Sequence, residues 1–341
     1  MLSGAKRGGG QARALALVCK RKRAGLTTVA FAGAKGTDLA SLAATIGRTS
    51  RTAIAAAAVL AAVLAGPSPA SGPERGGDRW LPQEPAFAVA PALRGMSPES
   101  AHLERAQEGL VARALAGVQP SRPGSRQIFF VGFAGYGPQA VFKREVVAVQ
   151  RLFHERFAAE GHSVALINHA STVEEAPLAT VPNLERVLAH LGRIMDRDRD
   201  TLFLFLTSHG ERALLAVEME RLALQHLTPA LLKGMLERSG IQNSVIVVSA
   251  CHSGSFIPAL AGPRRLVIAA ARADRTSFGC DDRREWTYFG DAFFNQALRQ
   301  EVSFKRAFRR ARQLIEQWEK RDRLVPSLPQ MRGGEALGLG D

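Results

Sequence analysis

The run TLFLFLTS, residues 201–208, carries no charge and no alternation of apolar with polar positions. A strand with one solvated face alternates; a run that is apolar at both parities buries both faces. Four further stretches share this character, save for Arg265 at the start of the last: IFFVGF (128–133), SVALIN (163–168), SVIVVSA (244–250) and RLVIAAA (265–271). Helical periodicity lies between them. Phe142, Val146, Val149, Phe153 and Phe157 recur at spacings of three and four, as do Leu184, Val187, Leu188, Leu191 and Ile194. Thr228-Pro229 opens another helix with a cap and a first-turn proline. Two helices are expected near 291–300 and 303–320, and a small hairpin from ALLAVEM and LALQHL (213–219, 222–227). Apolar strands alternating with helices imply an α/β fold: a three-layer sandwich with a mostly parallel central sheet flanked by helices.

In such sheets the ligand site lies beyond the carboxyl ends of the strands. One strand ends in Thr207-Ser208-His209-Gly210 and another in Ser249-Ala250-Cys251-His252-Ser253-Gly254. Were these strands neighbours, about 4.8 Å apart, an imidazole and a thiol would project from one sheet edge. That is what a thiol nucleophile with a base partner requires, since the thiolate is the reactive form. Gly210 leaves the N–H beside His209 open as a donor to an oxyanion. His252 follows the nucleophile directly, and adjacent strand residues face opposite ways, so His209 is the expected base. Taken singly, Cys251 reads as a buried structural thiol and His209 as a loop histidine; the pair at adjoining strand ends reads as catalysis.

Three segments carry a family resemblance. LFLFLTSHG (202–210) is similar to a hydrophobic strand ending in His-Gly, VIVVSACHSGSF (245–256) to a strand ending in Ala-Cys-x-Ser-Gly, and ADRTSFGCDDRREWTYFGDAFF (273–294) to a segment with Ser-Tyr-Ala-Cys followed by Thr-Tyr-Leu-Gly-Asp. In order and spacing, residues 127–300 resemble the legumain-type (C13) cysteine peptidases of the caspase-like clan, as a bacterial member. The resemblance implies a caspase-like sandwich, His209 as general base, Cys251 as nucleophile, and the N–H groups of Gly210 and Cys251 as the oxyanion hole. It implies that Ser277, Asp291 and Ser249 line the pocket for the residue before the scissile bond (P1), and that Gln139 orients His209. Asp291 has a second reading as the cap of the helix that begins there, and Ser277 as a turn residue.

The chain also departs from that family. Acids flank the family's nucleophile two positions before and one after; here those positions hold Ser249 and His252. The family's Arg-His pair that helps bind asparagine after the first strand has no clear counterpart; Lys143, Arg144 and Glu145 lie nearby in shifted register. Peptidase chemistry is therefore expected with P1 open between asparagine and a basic residue, Asp291 with Asp274, Asp281 or Asp282 being able to select Lys or Arg. Acyl-enzyme chemistry also allows transfer to an amine, so a transpeptidase is the nearest alternative; an inactive binding module of the same fold is the alternative of another class. A peptide or protein is the expected partner, with no metal or organic cofactor. Cys251 and Cys280 are expected unpaired.

The net charge of +14 does not indicate nucleic acid: +9 of it falls in residues 1–51, and the remainder is only mildly basic. Residues 1–51 form a basic leader, and 52–70 contain the uncharged run AIAAAAVLAAVLA, followed by Pro69-Ala70-Ser71. This is the layout of a secretory signal core or a single N-terminal anchor. It places the body outside the cytoplasm, exported to the periplasm or cell envelope. Residues 71–97 read as a Pro/Gly-rich linker, 98–325 as the peptidase domain and 326–341 as a flexible tail. The charge run Asp196–Asp200 reads as a solvated turn, and His154-Glu155 lacks the second histidine of a zinc-peptidase helix.

Overall fold

A computed structural model describes residues 98–220 and 222–338, with 98–105 as helix backbone only. The basic leader, the apolar segment 52–70 and the linker 71–97 lie outside the described residues. No helix among those described is long and apolar enough to cross a membrane.

The chain runs α1 (Pro98–Ala116), β1 (Ile128–Ala134), α2 (Ala140–Phe157), β2 (Ser163–Ile167), α3 (Val181–Ile194), β3 (Thr201–Thr207), β4 (Gly210–Glu211), β5 (Leu214–Leu215), α4 (Pro229–Ser239), β6 (Ser244–Ser249), α5 (Ile257–Leu260) and β7 (Arg265–Ala269). Then come α6 (Tyr288–Gly290), a π-helical segment (Asp291–Ala297), α7 (Leu298–Gln300), α8 (Phe304–Arg321) and β8 (Gln330–Arg332). Six strands form one sheet in the order β2-β1-β3-β6-β7-β8, parallel throughout except for β8.

Residue parity explains why the strands are apolar at every position. Leu202, Leu204 and Leu206 pack with α3 and α4 through Leu184, Val187, Leu188, Leu191, Leu232 and Leu236. Phe203 and Phe205 point the other way, into Phe142, Val146, Phe153, Phe294 and Phe304. Successive side chains leave opposite faces, so the sheet has a core on each side and three layers result. Thr180 and Thr228 cap α3 and α4, their hydroxyls accepting from Asn183 N–H and Leu231 N–H, and each helix has a proline in its first turn.

The C-terminal boundary differs from the sequence reading. The chain does not end its fold at 325: Ser327 C=O accepts from Arg272 N–H (2.9 Å), and β8 pairs antiparallel with β7. The three residues of β8 cover an edge that β7 would otherwise expose, and a strand so short has no readable periodicity. The expected hairpin is also smaller than anticipated. It is β4–β5, with isolated bridges at Leu215–Leu227 and Met219–Leu222.

Candidate active site

Strands β3 and β6 are parallel neighbours with Thr207 opposite Ser249, and Ser208 N–H extends the ladder to Ser249 C=O (3.3 Å). His209 and Cys251 therefore leave the sheet at the same level, two residues beyond that pair. The approach is close: a Cβ on Gly210 would come within 2.5 Å of the Cys251 carbonyl oxygen and 2.9 Å of Ala250 Cβ. Only glycine fits there. In the β4–β5 hairpin Ala216 N–H donates to His209 C=O (2.9 Å). This makes Gly210 and Leu215 a non-hydrogen-bonded pair, so the Gly210 N–H turns away from the hairpin.

The imidazole of His209 is held on three sides. Tyr136 and Phe142 meet it edge-on, at 4.5 and 5.2 Å between centroids. Its Nε2 lies 2.6 Å from Gln139 Oε1. The amide orientation follows from the other end of that side chain, where Gln139 Nε2 donates to Cys280 C=O (3.3 Å). With its NH2 so engaged, Gln139 presents its oxygen to His209, so Nε2 carries the ring proton and Nδ1 is the basic nitrogen. Gln139 follows β1 and His209 follows β3. The bond thus spans the point where the strand order reverses, the usual ligand crevice of an open α/β sheet.

Cys251 is buried, with 4% of its surface exposed. Its Sγ accepts from Ser277 N–H (3.3 Å) and lies 3.5 Å from Ser277 C=O. Ser277 therefore meets the sulfur through its backbone. His252 adopts φ 57°, in the left-handed region, and its Nδ1 pairs with Ala273 C=O (3.1 Å). It holds the 273–275 segment in place. Neither Cys251 nor Cys280 forms a disulfide among the described residues.

Asp291 does not cap a helix. Thr287 has that role, its hydroxyl accepting from Gly290 N–H (3.0 Å). Asp291 Oδ1 accepts from Asn295 (2.9 Å) and Gln296 (3.3 Å), two neutral amides. The other three acids have partners of their own. Arg272 grips Asp274 with two bonds and holds its carboxyl down at about 2; Arg283 does the same to Asp281. Asp282 accepts from Ala140 N–H at the start of α2 (2.6 Å). Lys143 donates to Ser171 (2.8 Å), and Arg144 to the carbonyls of Asp282 and Arg284.

Glu145 was not singled out as a site residue by the sequence reading. It is fully buried, accepting from Thr207 Oγ1 (2.8 Å), Thr287 N–H (2.8 Å) and Thr287 Oγ1 (2.7 Å). One signal was legible: Glu145 stands three residues after Phe142 and four before Val149, inside the apolar stripe of α2. Burial outweighs its donors and, with the charge of Asp291, raises its carboxyl from 4.5 to about 6. The native state then holds a proton that the unfolded chain releases between those values. Stability attributable to Glu145 is full below pH 4.5 and falls by about 2 kcal/mol as pH rises through 6. Denaturant titrations of wild type and Glu145→Gln should show this fall in their stability difference; a difference flat from pH 4.5 to 7 contradicts it.

No group of His, Cys, Asp or Glu able to hold a metal occurs among the described residues. The 196–200 run is a turn, with Asp196 accepting from Asp198 N–H, Arg199 N–H and the Arg199 guanidinium.

Residues 183–337, which include both strand ends and the Asp291 segment, match the Peptidase C13 family model. Over this stretch the chain is similar to the peptidase C13 family. It is a cysteine-type peptidase. No curated protein matches the chain. Among solved structures, caspase-1 from Spodoptera frugiperda is similar at 10% identity, with 63% of this chain and 88% of that chain covered and a TM-score of 0.43. In the peptidase, the candidate residues fall into two groups. His209, Gly210, Cys251, Gln139 and Ser277 meet around the two strand ends, while Asp291 and Ser249 adjoin the Thr287 cap.

Proposed function

We propose that the peptidase is an endopeptidase that works through a Cys251–His209 dyad and a thioester acyl-enzyme. His209 Nδ1 takes the thiol proton as Sγ attacks the peptide carbonyl carbon. The oxyanion that forms is met by the N–H groups of Gly210 and Cys251. The imidazolium then protonates the leaving amine, the C–N bond breaks and the thioester remains. Water attacks the thioester, giving a proton to His209; the sulfur leaves and recovers its proton as the acid product departs. Gln139 holds the ring through Nε2 in every step. The observation that carries this reading is the in-register pairing of β3 with β6, with the Gly210 backbone seated against Cys251.

For P1 we favour a basic side chain. Among the described residues Asp291 is bonded to two amides and no cation, whereas Asp274 and Asp281 are each neutralised by an arginine. Lys143 and Arg144, the cations in line to recognise an asparagine side chain, bond elsewhere. A peptide library should be cut after Lys or Arg, and Asp291→Ala should lower kcat/KM for those sites about 30-fold or more, the cost of leaving a desolvated charge unpaired. Preferred cutting after Asn, or cutting after Lys that is unchanged in the variant, contradicts this assignment.

We also propose that the protein is exported, from the basic flank, apolar core and small-residue exit of residues 48–71. Fractionation of the native host should find it in the envelope or beyond. Cytosolic protein retaining Met1 would overturn this.

A further inference from the structure

The Glu145 carboxylate joins elements that are far apart in sequence. Its α2 helix meets Thr207, the last residue of β3 and two before His209, and Thr287, four before Asp291. Thr207 Oγ1, Thr287 N–H and Thr287 Oγ1 all donate to the carboxylate. The Thr287 hydroxyl gives its proton to Glu145 Oε1 and accepts from Gly290 N–H, so Ser249 Oγ, 3.4 Å away, is the donor in that third contact. Ser249 stands two residues before Cys251. One acceptor thus ends a line of hydroxyls that reaches the roots of base, nucleophile and pocket wall. The chain is shaped around it: a Cβ on Gly290 would lie 1.9 Å from Glu145 Oε1.

Stability alone does not account for this carboxylate. It is fully buried, its bonded partners are neutral, and the one charged group acting on it, Asp291, repels it. Burying a charge without a cation is costly. Such violations concentrate at functional sites. We infer that Glu145 is a positioning residue that holds the His209-bearing strand end and the Asp291-bearing segment at a fixed separation, so that dyad and P1 pocket form as one unit. The inference rests on the peptidase reading above.

The test uses Glu145→Leu, Glu145→Gln and Thr207→Val in the full chain, each shown folded by circular dichroism and thermal melting. Turnover of a P1-Lys peptide and the rate of iodoacetamide alkylation at Cys251 are both measured. Glu145→Leu should lower kcat about 100-fold, as a misplacement near 1 Å does, and also raise KM, with a melting temperature lowered by the Thr207 and Thr287 donors it leaves unpaired. Thr207→Val releases the histidine arm alone, so kcat and alkylation should fall about 10-fold with KM unchanged. Glu145→Gln should recover most of the lost activity. Its amide oxygen can take both Thr287 donors while its NH2 donates to Thr207 Oγ1. A folded Glu145→Leu with kcat and KM within twofold of wild type overturns the inference. If that variant does not fold, Thr207→Val matching wild type in both kcat and alkylation overturns it. A wild-type protein that neither cleaves peptides nor alkylates at Cys251 faster than at Cys280 removes the peptidase reading itself, and this inference with it.

Discussion

Cys251→Ala is expected to fold and to cleave nothing above background, a loss on the order of 10⁵-fold in kcat. The methyl group occupies space the sulfur already fills, and the backbone of residues 249–252 is held from outside. Ser249 pairs with β3, His252 N–H donates to Arg275 C=O, and Gly254 N–H donates to Ala271 C=O. The deletion therefore removes the proposed nucleophile and leaves its frame. Ser277, whose N–H faces the sulfur at 3.3 Å, offers no substitute: it meets Cys251 through its backbone. Residual turnover near wild type in a peptide assay would reject Cys251 as the nucleophile.

His209→Ala is expected to cost about 10³- to 10⁴-fold in kcat, with KM for the same peptide changed little. The ring sits against Tyr136 and Phe142 with its Nε2 bonded to Gln139, so the unvaried protein presents one nitrogen in one orientation. In the proposed mechanism, removing the ring removes proton transfer in both halves of the reaction. His252→Ala gives the contrast, because that imidazole is bonded to Ala273 C=O on a left-handed residue. It should cost no more than about 10-fold, the value of one lost hydrogen bond in a supporting loop. Steady-state kinetics of the two variants side by side decide which histidine is the base. Equal losses, or a larger loss at His252, would reverse the assignment.

Much of this was legible in the sequence because buried parallel strands write themselves plainly. TLFLFLTS and SVIVVSA are apolar at both parities, and the structure uses both, with Leu202, Leu204 and Leu206 on one face and Phe203 and Phe205 on the other. The strand ends then named His209 and Cys251 without further help. What was not legible depends on contacts between residues far apart. Thr287, not Asp291, caps the helix; both are good capping types, and only the backbone path separates them. Asp274, Asp281 and Asp282 were equal candidates to accompany Asp291 as pocket acids until their partners appeared. The β8 strand is three residues long, below any periodicity. Glu145 was visible as an acid in the apolar stripe of α2, yet its meaning depends on Thr207 and Thr287, 62 and 142 residues away.

The most direct examination of the dyad is covalent. A peptidyl acyloxymethyl ketone with Lys at P1, added to the full-length protein and mapped by tandem mass spectrometry, should place one adduct per chain on Cys251, none on Cys280, and almost none anywhere in His209→Ala. An adduct on Cys280, an unlabelled Cys251, or labelling of Cys251 at the same rate without His209 would show that the sulfur and the imidazole do not act together.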